Sequence, residues 1–286
     1  MKKREKTDTW IILSVILSII GVLSIFIPWS EFDGLRIWKW HLETKDYGLL
    51  GNFVNGICAP ILALATILLI FRTYILQREE LSKTSIALSS QRFENTFFGL
   101  LENHQRIVEA MDLVKRTNPS IILATKRDCF KRIYRQLVSK HNKSGRTNSF
   151  SDIMKTYNEI QNYYKSDLHH YFRFLYHILK FVKNNPEMDE EEKYKYTSIL
   201  RAVLSPYELA LIFYNCLHEF GVSHFKPLVE EFSFLKNLDD SLLIGESLLQ
   251  DEENPIKYHD LAFASSEKRI KLLSEWKMFI EMNKTQ

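Results

Sequence analysis

One pair of side chains in this sequence has a spacing that could support cleavage of RNA. Arg135 and His141 lie six positions apart on a segment of helical periodicity, where a guanidinium and an imidazole could act on a phosphate and a 2′-hydroxyl. The chain contains 9 histidines, so roughly one such pair is expected by chance, and Arg36 with His41 is a second. The spacing alone therefore does not predict a catalytic role.

A cluster of histidines near an aspartate could in principle bind a metal ion. Asp167, His169, His170 and His177 fall on one predicted helix. His170 and His177 would lie about 10 Å apart along its axis, too far to share one ion without a second helix. The sequence also lacks a Gly-rich phosphate loop, an HExxH motif, a nucleophile elbow and a CxxC pair. We therefore expect no catalytic residues, no cofactor and no metal site.

Two long apolar segments near the N-terminus could hold the rest of the chain at a membrane. Residues 10–29 and residues 49–71 contain no charged side chain. At about 1.5 Å per residue, each is long enough to cross a hydrocarbon core of roughly 30 Å. A cleaved signal peptide is the alternative for the first segment, but that segment is long for a signal core and a second span follows closely. We predict a transmembrane hairpin of two helices.

The second apolar segment contains five candidate membrane-function residues. An amide without a partner is costly in lipid, so Asn52 and Asn55 should bond to another helix, or meet headgroups and water at the start of the span. Gly51 and Gly56 would allow close approach of a neighbouring helix, and Pro60 removes a backbone donor and could kink the span. An oligomer interface or pore is one hypothesis for this segment, and solvation at the membrane surface is the other.

Basic residues flanking the spans favour a cytoplasmic location for both termini. Four lysines and arginines precede the first span, and four more follow the second span up to residue 92. The connecting loop contains three. Because lysine and arginine are retained on the cytoplasmic side, the prediction is a two-span protein with both ends inside.

The remainder of the chain has the pattern of successive amphipathic helices, with little strand-like alternation. Residues 77–91 are polar but contain neither Gly nor Pro, which predicts a rigid helical stalk. The next apolar stripe runs from Phe93 to Val114. We therefore predict an all-α fold in three parts: a tail and transmembrane hairpin at 1–76, a stalk and first long helix at 77–118, and a helical cytoplasmic domain at 119–286.

The clearest local signal is the capping box that begins at Ser205. Ser205 can cap a helix, Pro206 suits its first position, and Glu208 can bond back to the cap. Gly221 is predicted to end this central helix, and Phe220 and Cys216 are among the residues expected to face the core. A last amphipathic helix is predicted to bury an apolar stripe made of Ile270, Leu273, Trp276, Phe279 and Ile280.

Six sequence blocks, each typical of a helix, follow one another in a fixed order. They are GNFVNGICAPILALATILL, RFENTFFGLLENHQRIVEAM, KRDCFKRIYRQL, YFRFLYHILKFV, YTSILRAVLSPYELALIFYN and FKPLVEEFSFLKNL. Together they make the chain resemble, over most of its length, the family of phage abortive infection proteins called AbiC-like. The family-motif residues are Phe93, Glu94, Phe97, Phe98, Arg173, Tyr176, Arg201, Ser205, Glu208, Tyr214 and Asn215.

This resemblance implies a membrane-bound bacterial protein of antiviral defence that arrests or kills the infected cell, by disturbing the inner membrane. Two-span proteins that look like this also occur beside a reverse transcriptase in retron defence systems. The implied partners are membrane lipids, a reverse transcriptase with its DNA product or another defence component, and further copies of the chain in an active homo-oligomer. Two alternatives stay open: a membrane-tethered ribonuclease using Arg135 and His141, and a non-catalytic scaffold.

The charge of the chain leaves the question of a nucleic-acid partner open. The formal net charge is only +3, which neither suggests nor excludes such a partner. Basic residues are concentrated at 126–135, where they could contact DNA or simply form the solvated face of a helix.

Overall fold

The computed structural model describes residues 9, 12–21, 23, 48, 51–52, 55–56, 59–115, 118–245 and 254–284. The chain divides into two compact units, residues 1–92 and residues 93–286. Helices predominate, and one two-stranded sheet is the exception among the described residues. The predicted all-α class is therefore confirmed for the fold as a whole.

The first unit contains two apolar helices, α1 (Ile12–Gly21) and the N-terminal part of α2 (Ala59–Glu109). Within the described residues, α2 is the one helix long and apolar enough to cross a membrane, and only 6% of its most apolar stretch is buried. This helix overlaps the predicted second span. The predicted first span, residues 10–29, is described only at positions 12–21 and 23, so much of it lies outside the described residues.

Small side chains bring α1 and α2 together within the first unit. A Cβ added at Gly21 would come within 3.2 Å of the Leu62 side chain and 3.3 Å of Ile61. Ser14 on α1 and Ala65 on α2 are both buried. Residues of this size let two helix backbones approach closely.

Helix α2 continues without a break through residues 77–91, as predicted for a helical stalk, and ends at Glu109. The prediction that this helix extends to Val114 is wrong. Two strands follow instead, β1 (Asp112–Lys115) and β2 (Asn118–Thr125), which pair antiparallel with Val114 opposite Ile122. β-Branched side chains are restricted in a helix and fit a pleated sheet well, which favours the strand here.

The second unit is built around one central helix, α7 (Pro206–Leu217), whose residues 208–217 are all buried. It packs against α3, α4, α8 and α9. Cys216 lies within it and is fully buried, so its prediction as a core residue is confirmed. The other helices that follow the sheet are α3 (Asp128–Lys143), α4 (Phe150–Tyr163), α5 (Lys165–Lys183), α6 (Glu190–Ala202), α8 (Glu219–Val222), α9 (Phe225–Glu231) and α10 (Ser266–Lys284).

The helix start predicted at Ser205 is confirmed, and Asp189 caps the start of α6 in a similar way. The Asp189 carboxylate accepts hydrogen bonds from the first backbone N–H groups of α6. The Ser205 hydroxyl accepts from the Glu208 N–H at 3.3 Å, and the Glu208 carboxylate accepts from the Ser205 N–H at 2.8 Å. Both caps satisfy donors that a helix start leaves without partners.

The predicted end of α7 is wrong. The helix ends at Leu217, because His218 adopts an extended conformation and its ring accepts a hydrogen bond from the Phe220 N–H at the start of α8. Phe220, predicted to face the core, is 61% exposed as a result. Gly221 lies inside α8 against the Asn215 carbonyl oxygen, with which any added Cβ would collide. It therefore permits close packing rather than stopping α7.

The predicted burial of the last helix, α10, is correct for only some of its apolar residues. Leu273 and Trp276 of α10 are buried, and the Trp276 indole N–H donates to the Glu230 carboxylate at 3.2 Å. Ile270 and Phe279 were predicted to be buried but are mostly exposed. The apolar face of a helix can therefore be wider than the part of it that packs against the rest of the fold.

Candidate functional site

The Glu208 carboxylate at the start of α7 is the centre of a buried polar network. Glu208 is fully buried, and its Oε1 accepts from the Tyr171 hydroxyl of α5 at 2.9 Å. Its Oε2 accepts from the Ser205 N–H at 2.8 Å and from the Ser205 hydroxyl at 2.6 Å. The Arg127 guanidinium, just before α3, lies 3.4 Å from Oε2. These partners compensate for the hydration that the buried carboxylate has lost. Because they lie on α5, at the start of α7 and just before α3, the network also joins these three helices.

His104, on the part of α2 that belongs to the second unit, lies beside this network. Its ring is fully buried, 5.2 Å between centroids from Tyr171, and neither ring nitrogen has a hydrogen-bond partner in the part of the chain that the structure describes. Burial, and then the positive charge of Arg127, lowers the pKa of His104 to about 4. At neutral pH the ring is therefore uncharged and acts as an aromatic packing group.

We expect the second unit to lose stability as the pH falls from about 6.5 to about 4. In this window the unfolded chain protonates His104, whose ordinary pKa is 6.5, while the folded chain does not. The stabilisation is fully present above pH 6.5 and is lost as pH falls through the folded-state pKa; its maximum is about 3 kcal/mol. Urea unfolding of the full chain in detergent at pH 7 and pH 4.5 measures the loss.

Two substitutions separate this effect from the titration of other groups. His104→Phe should lose less stability between the two pH values than the wild type does, because the titrating ring is gone. His170→Phe, at an exposed position of α5, should retain the wild-type loss. Equal losses in the wild type and in His104→Phe would contradict the assignment.

Several family-motif residues have structural positions in the second unit. Phe93 and Phe97 of α2 are buried and both lie edge-on to the Tyr196 ring, at 5.0 and 5.1 Å between centroids. The Tyr196 hydroxyl donates to Glu94 at 3.2 Å. Phe98, by contrast, is half exposed. The buried members of this motif therefore join α2 to α6.

Arg201 and Tyr214 hold the segment that follows α9 onto the core. The Arg201 guanidinium donates to the Ser233 carbonyl at 2.8 Å. The Tyr214 hydroxyl accepts from the Ile244 N–H at 2.7 Å. Each side chain satisfies a backbone group that would otherwise be buried without a partner.

An open cleft of about 440 Å³ lies on the second unit between α4, α5, α7 and the α8–α9 region. Three family-motif residues, Arg173, Tyr176 and Asn215, line this cleft together, although Asn215 lies far from the other two in the sequence. The side chains that line it are basic, aromatic or amide: Gln161, His169, Phe172, Arg173, Tyr176, Lys180, Asn215, Phe220, His224 and Phe225. Sequence reasoning missed most of these, although the helical spacing of His169, Arg173, Tyr176 and Lys180 on α5 was a signal for a shared face.

The floor of the cleft is polar, and none of the described side chains that line the cleft is acidic. Gln161 is almost completely buried, and its Nε2 lies 3.1 Å from Nε2 of His169. Its Oε1 has no hydrogen-bond partner among the described residues. Arg173 and Lys180 are exposed. This combination suits a ligand that carries both a negative charge and a hydrogen-bond donor.

The residues considered for chemistry in the sequence differ in burial and in hydrogen bonding. His141 is 1% exposed, and its two ring nitrogens lie 3.2 Å from the Thr156 hydroxyl and 3.1 Å from Asn148 Oδ1. Arg135 is exposed. Both nitrogens of His141 are thus occupied by the fold, which argues against proton transfer to RNA. Among the described residues, no group of three or more His, Cys, Asp or Glu side chains could hold a metal ion.

The five candidate membrane-function residues are all exposed within the first unit. Nothing lies within 4 Å of a Cβ built at Gly51 or at Gly56. Pro60 is the second residue of the described helix α2, and Asn55 and Gly56 before it have a π-helical conformation. A role for Asn52 and Asn55 at an oligomer interface or pore stays a prediction.

Comparison with known proteins gives a match for the central part of the second unit. Residues 163–242 match the model of the family described as Putative phage abortive infection protein. This range contains helices α5 to α9, together with Glu208 and most of the residues lining the cleft. No curated protein and no solved structure matches the chain.

Proposed function

Because residues 163–242 match the model of the family described as Putative phage abortive infection protein, we propose that this protein is a membrane-anchored effector of bacterial antiphage defence. In this proposal it arrests or kills the infected cell by disturbing the inner membrane. The observation that carries the proposal is the apolar part of α2, which is long enough to cross a membrane and only 6% buried. A surface of this kind is stable in water only when lipid or another copy covers it.

The packing of α1 on α2 supports a hairpin of two spans. Gly21 lies beside Leu62, and a shallow groove is lined by Ser14 and Ser18 of α1 and by Leu69 of α2. Close contact through small residues is common between membrane helices. The distribution of basic residues favours cytoplasmic termini.

The proposed active form is a homo-oligomer in the inner membrane. The amides of Asn52 and Asn55 are exposed in the single chain, and contact with another copy or with pore water would satisfy them. The proposed defence partner is a reverse transcriptase with its DNA product, as in retrons. Arg132 and Arg135 are exposed on α3 and could contact DNA phosphates, whereas Arg127 is already paired with Glu208.

The test is membrane potential and dye entry in cells that express the protein, with and without phage challenge. We expect the full chain to depolarise the membrane and arrest growth, and a truncation that begins at Gln77 to do neither, because it lacks the apolar helices. Circular dichroism of the purified truncation shows whether its remaining helices are folded. Growth arrest by the truncation while the membrane stays polarised would contradict the proposal and direct attention to an activity of the second unit.

A second arm of the same experiment tests the pore-facing role. The double substitution Asn52→Leu and Asn55→Leu removes both amides from the full chain. Thr66→Val is the matched control, since the Thr66 hydroxyl already donates to the Leu62 carbonyl of its own helix at 2.9 Å. Normal insertion with unchanged toxicity in the double variant would rule out an essential role for the two amides.

A further inference from the structure

We infer that the cleft on the second unit binds a free nucleotide. Nucleotide binding to the second unit is separate from the proposed effect on the membrane, so either proposal can fail while the other holds. Three independent features of the cleft carry it: two cationic side chains at its mouth, an exposed aromatic ring at its rim, and a buried polar atom without a partner in its floor. A volume of about 440 Å³ is in the range of small-molecule sites.

The mouth of the cleft is suited to a phosphate group. Arg173 and Lys180 lie seven residues apart on α5, about 10 Å along the helix axis, and both are exposed. Neither forms an ion pair with any residue that the structure describes, and Nζ of Lys180 lies 5.5 Å from the Tyr176 ring centroid. A guanidinium binds phosphate oxygens in a bidentate manner, and an ammonium adds a second positive charge.

The rim of the cleft offers a planar surface for a nucleobase. The Phe220 ring is mostly exposed, and its centroid lies 5.5 Å from that of His169 and 5.3 Å from that of His218. The extended conformation of His218 places Phe220 outside the core, although the apolar pattern of the segment predicts burial. Stacking on an aromatic side chain is a contact that every nucleobase can make.

The floor of the cleft distinguishes a nucleotide from a simple anion. With the Gln161 amide donating to His169, Oε1 of Gln161 is a buried acceptor without a donor. A buried acceptor without a donor is unfavourable, because it has lost its hydration without compensation. Inorganic phosphate at neutral pH offers chiefly acceptors, whereas the amino and imino groups of nucleobases donate. A ligand with a phosphate, a planar ring and an N–H group satisfies all three features.

Isothermal titration calorimetry of the full chain in detergent tests the inference, with the four common ribonucleoside triphosphates and monophosphates as probes. At least one nucleotide should bind, and inorganic phosphate or pyrophosphate should bind at least tenfold more weakly. The double variant Arg173→Ala and Lys180→Ala should weaken binding at least tenfold. Phe220→Ala should weaken it about 5- to 150-fold, the range expected for loss of one base stack.

Matched variants outside the cleft control for charge and for loss of an aromatic ring. Arg106→Ala with Lys195→Ala removes two exposed cations, and Phe279→Ala removes an exposed ring of α10. Both should bind like the wild type. The inference is overturned if no nucleotide binds at millimolar concentration, if phosphate binds as tightly as nucleotides, or if the cleft variants bind like the wild type. Binding of single-stranded oligonucleotides alone would overturn it as well.

Discussion

Glu208→Gln is expected to lower the free energy of unfolding of the second unit by about 3 kcal/mol. Glu208 is fully buried and its two oxygens accept hydrogen bonds from Tyr171 and from Ser205. An amide in its place loses the charge that faces Arg127 and turns an NH₂ group toward a donor. The melting temperature of the full chain in detergent, followed by circular dichroism, should fall by roughly 10 °C.

Glu94→Gln is the matched control for this prediction. Glu94 also accepts a hydrogen bond from a tyrosine hydroxyl, that of Tyr196 at 3.2 Å, but the pair is exposed to solvent. Water can replace the lost interaction, so its removal should cost about 1 kcal/mol or less. Equal destabilisation by the two substitutions would show that the buried network around Glu208 contributes no more to stability than an exposed hydrogen bond does.

Phe97→Ala is expected to destabilise the second unit by about 3–5 kcal/mol. Phe97 is fully buried, its ring lies edge-on to Tyr196, and it stacks at 6.2 Å from Phe93. Truncation removes apolar contact and leaves a cavity that helices anchored on both sides cannot close. Urea unfolding of the full chain in detergent measures the loss, and antiphage protection should fall with it as the folded protein becomes scarcer.

The neighbouring residue provides an internal comparison for the phenylalanine motif. Phe98 follows directly on α2 but is half exposed, so Phe98→Ala should cost about 1 kcal/mol or less. The two substitutions delete the same atoms from adjacent positions of one motif. If Phe98→Ala abolished protection while leaving stability intact, Phe98 would belong to a contact surface rather than to the core.

Local rules correctly predicted the features that depend on a few neighbouring residues. Ser205 begins a helix because its side chain satisfies a backbone donor three residues later. Helix α2 continues through residues 77–91 because that stretch contains neither Gly nor Pro. Cys216 is buried because the helical period places it among apolar residues. None of these features requires knowledge of a distant part of the chain.

Helical periodicity failed where the backbone conformation or the packing surface around an apolar residue decided the outcome. Val114 continues a helical apolar stripe, yet it pairs with Ile122 in a sheet. Phe220 continues the stripe of α7, yet the extended backbone at His218 exposes it. Ile270 fits the register of α10 but is 76% exposed among the described residues. In each case periodicity identified an apolar residue without identifying its partner.

The sequence by itself determined that this protein is helical, that it has a segment apolar enough for a membrane, and which family its central residues resemble. The first two properties follow from composition and from spacings of one to seven residues, and the resemblance follows from six sequence blocks in a fixed order. Only the tertiary structure decided that Glu208 is a buried charge held by Tyr171 and Arg127, and that Arg173, Gln161 and Phe220 line one cleft. The physical reason is that burial and hydrogen bonding join residues from different helices, and the packing of those helices is not encoded in any single local pattern.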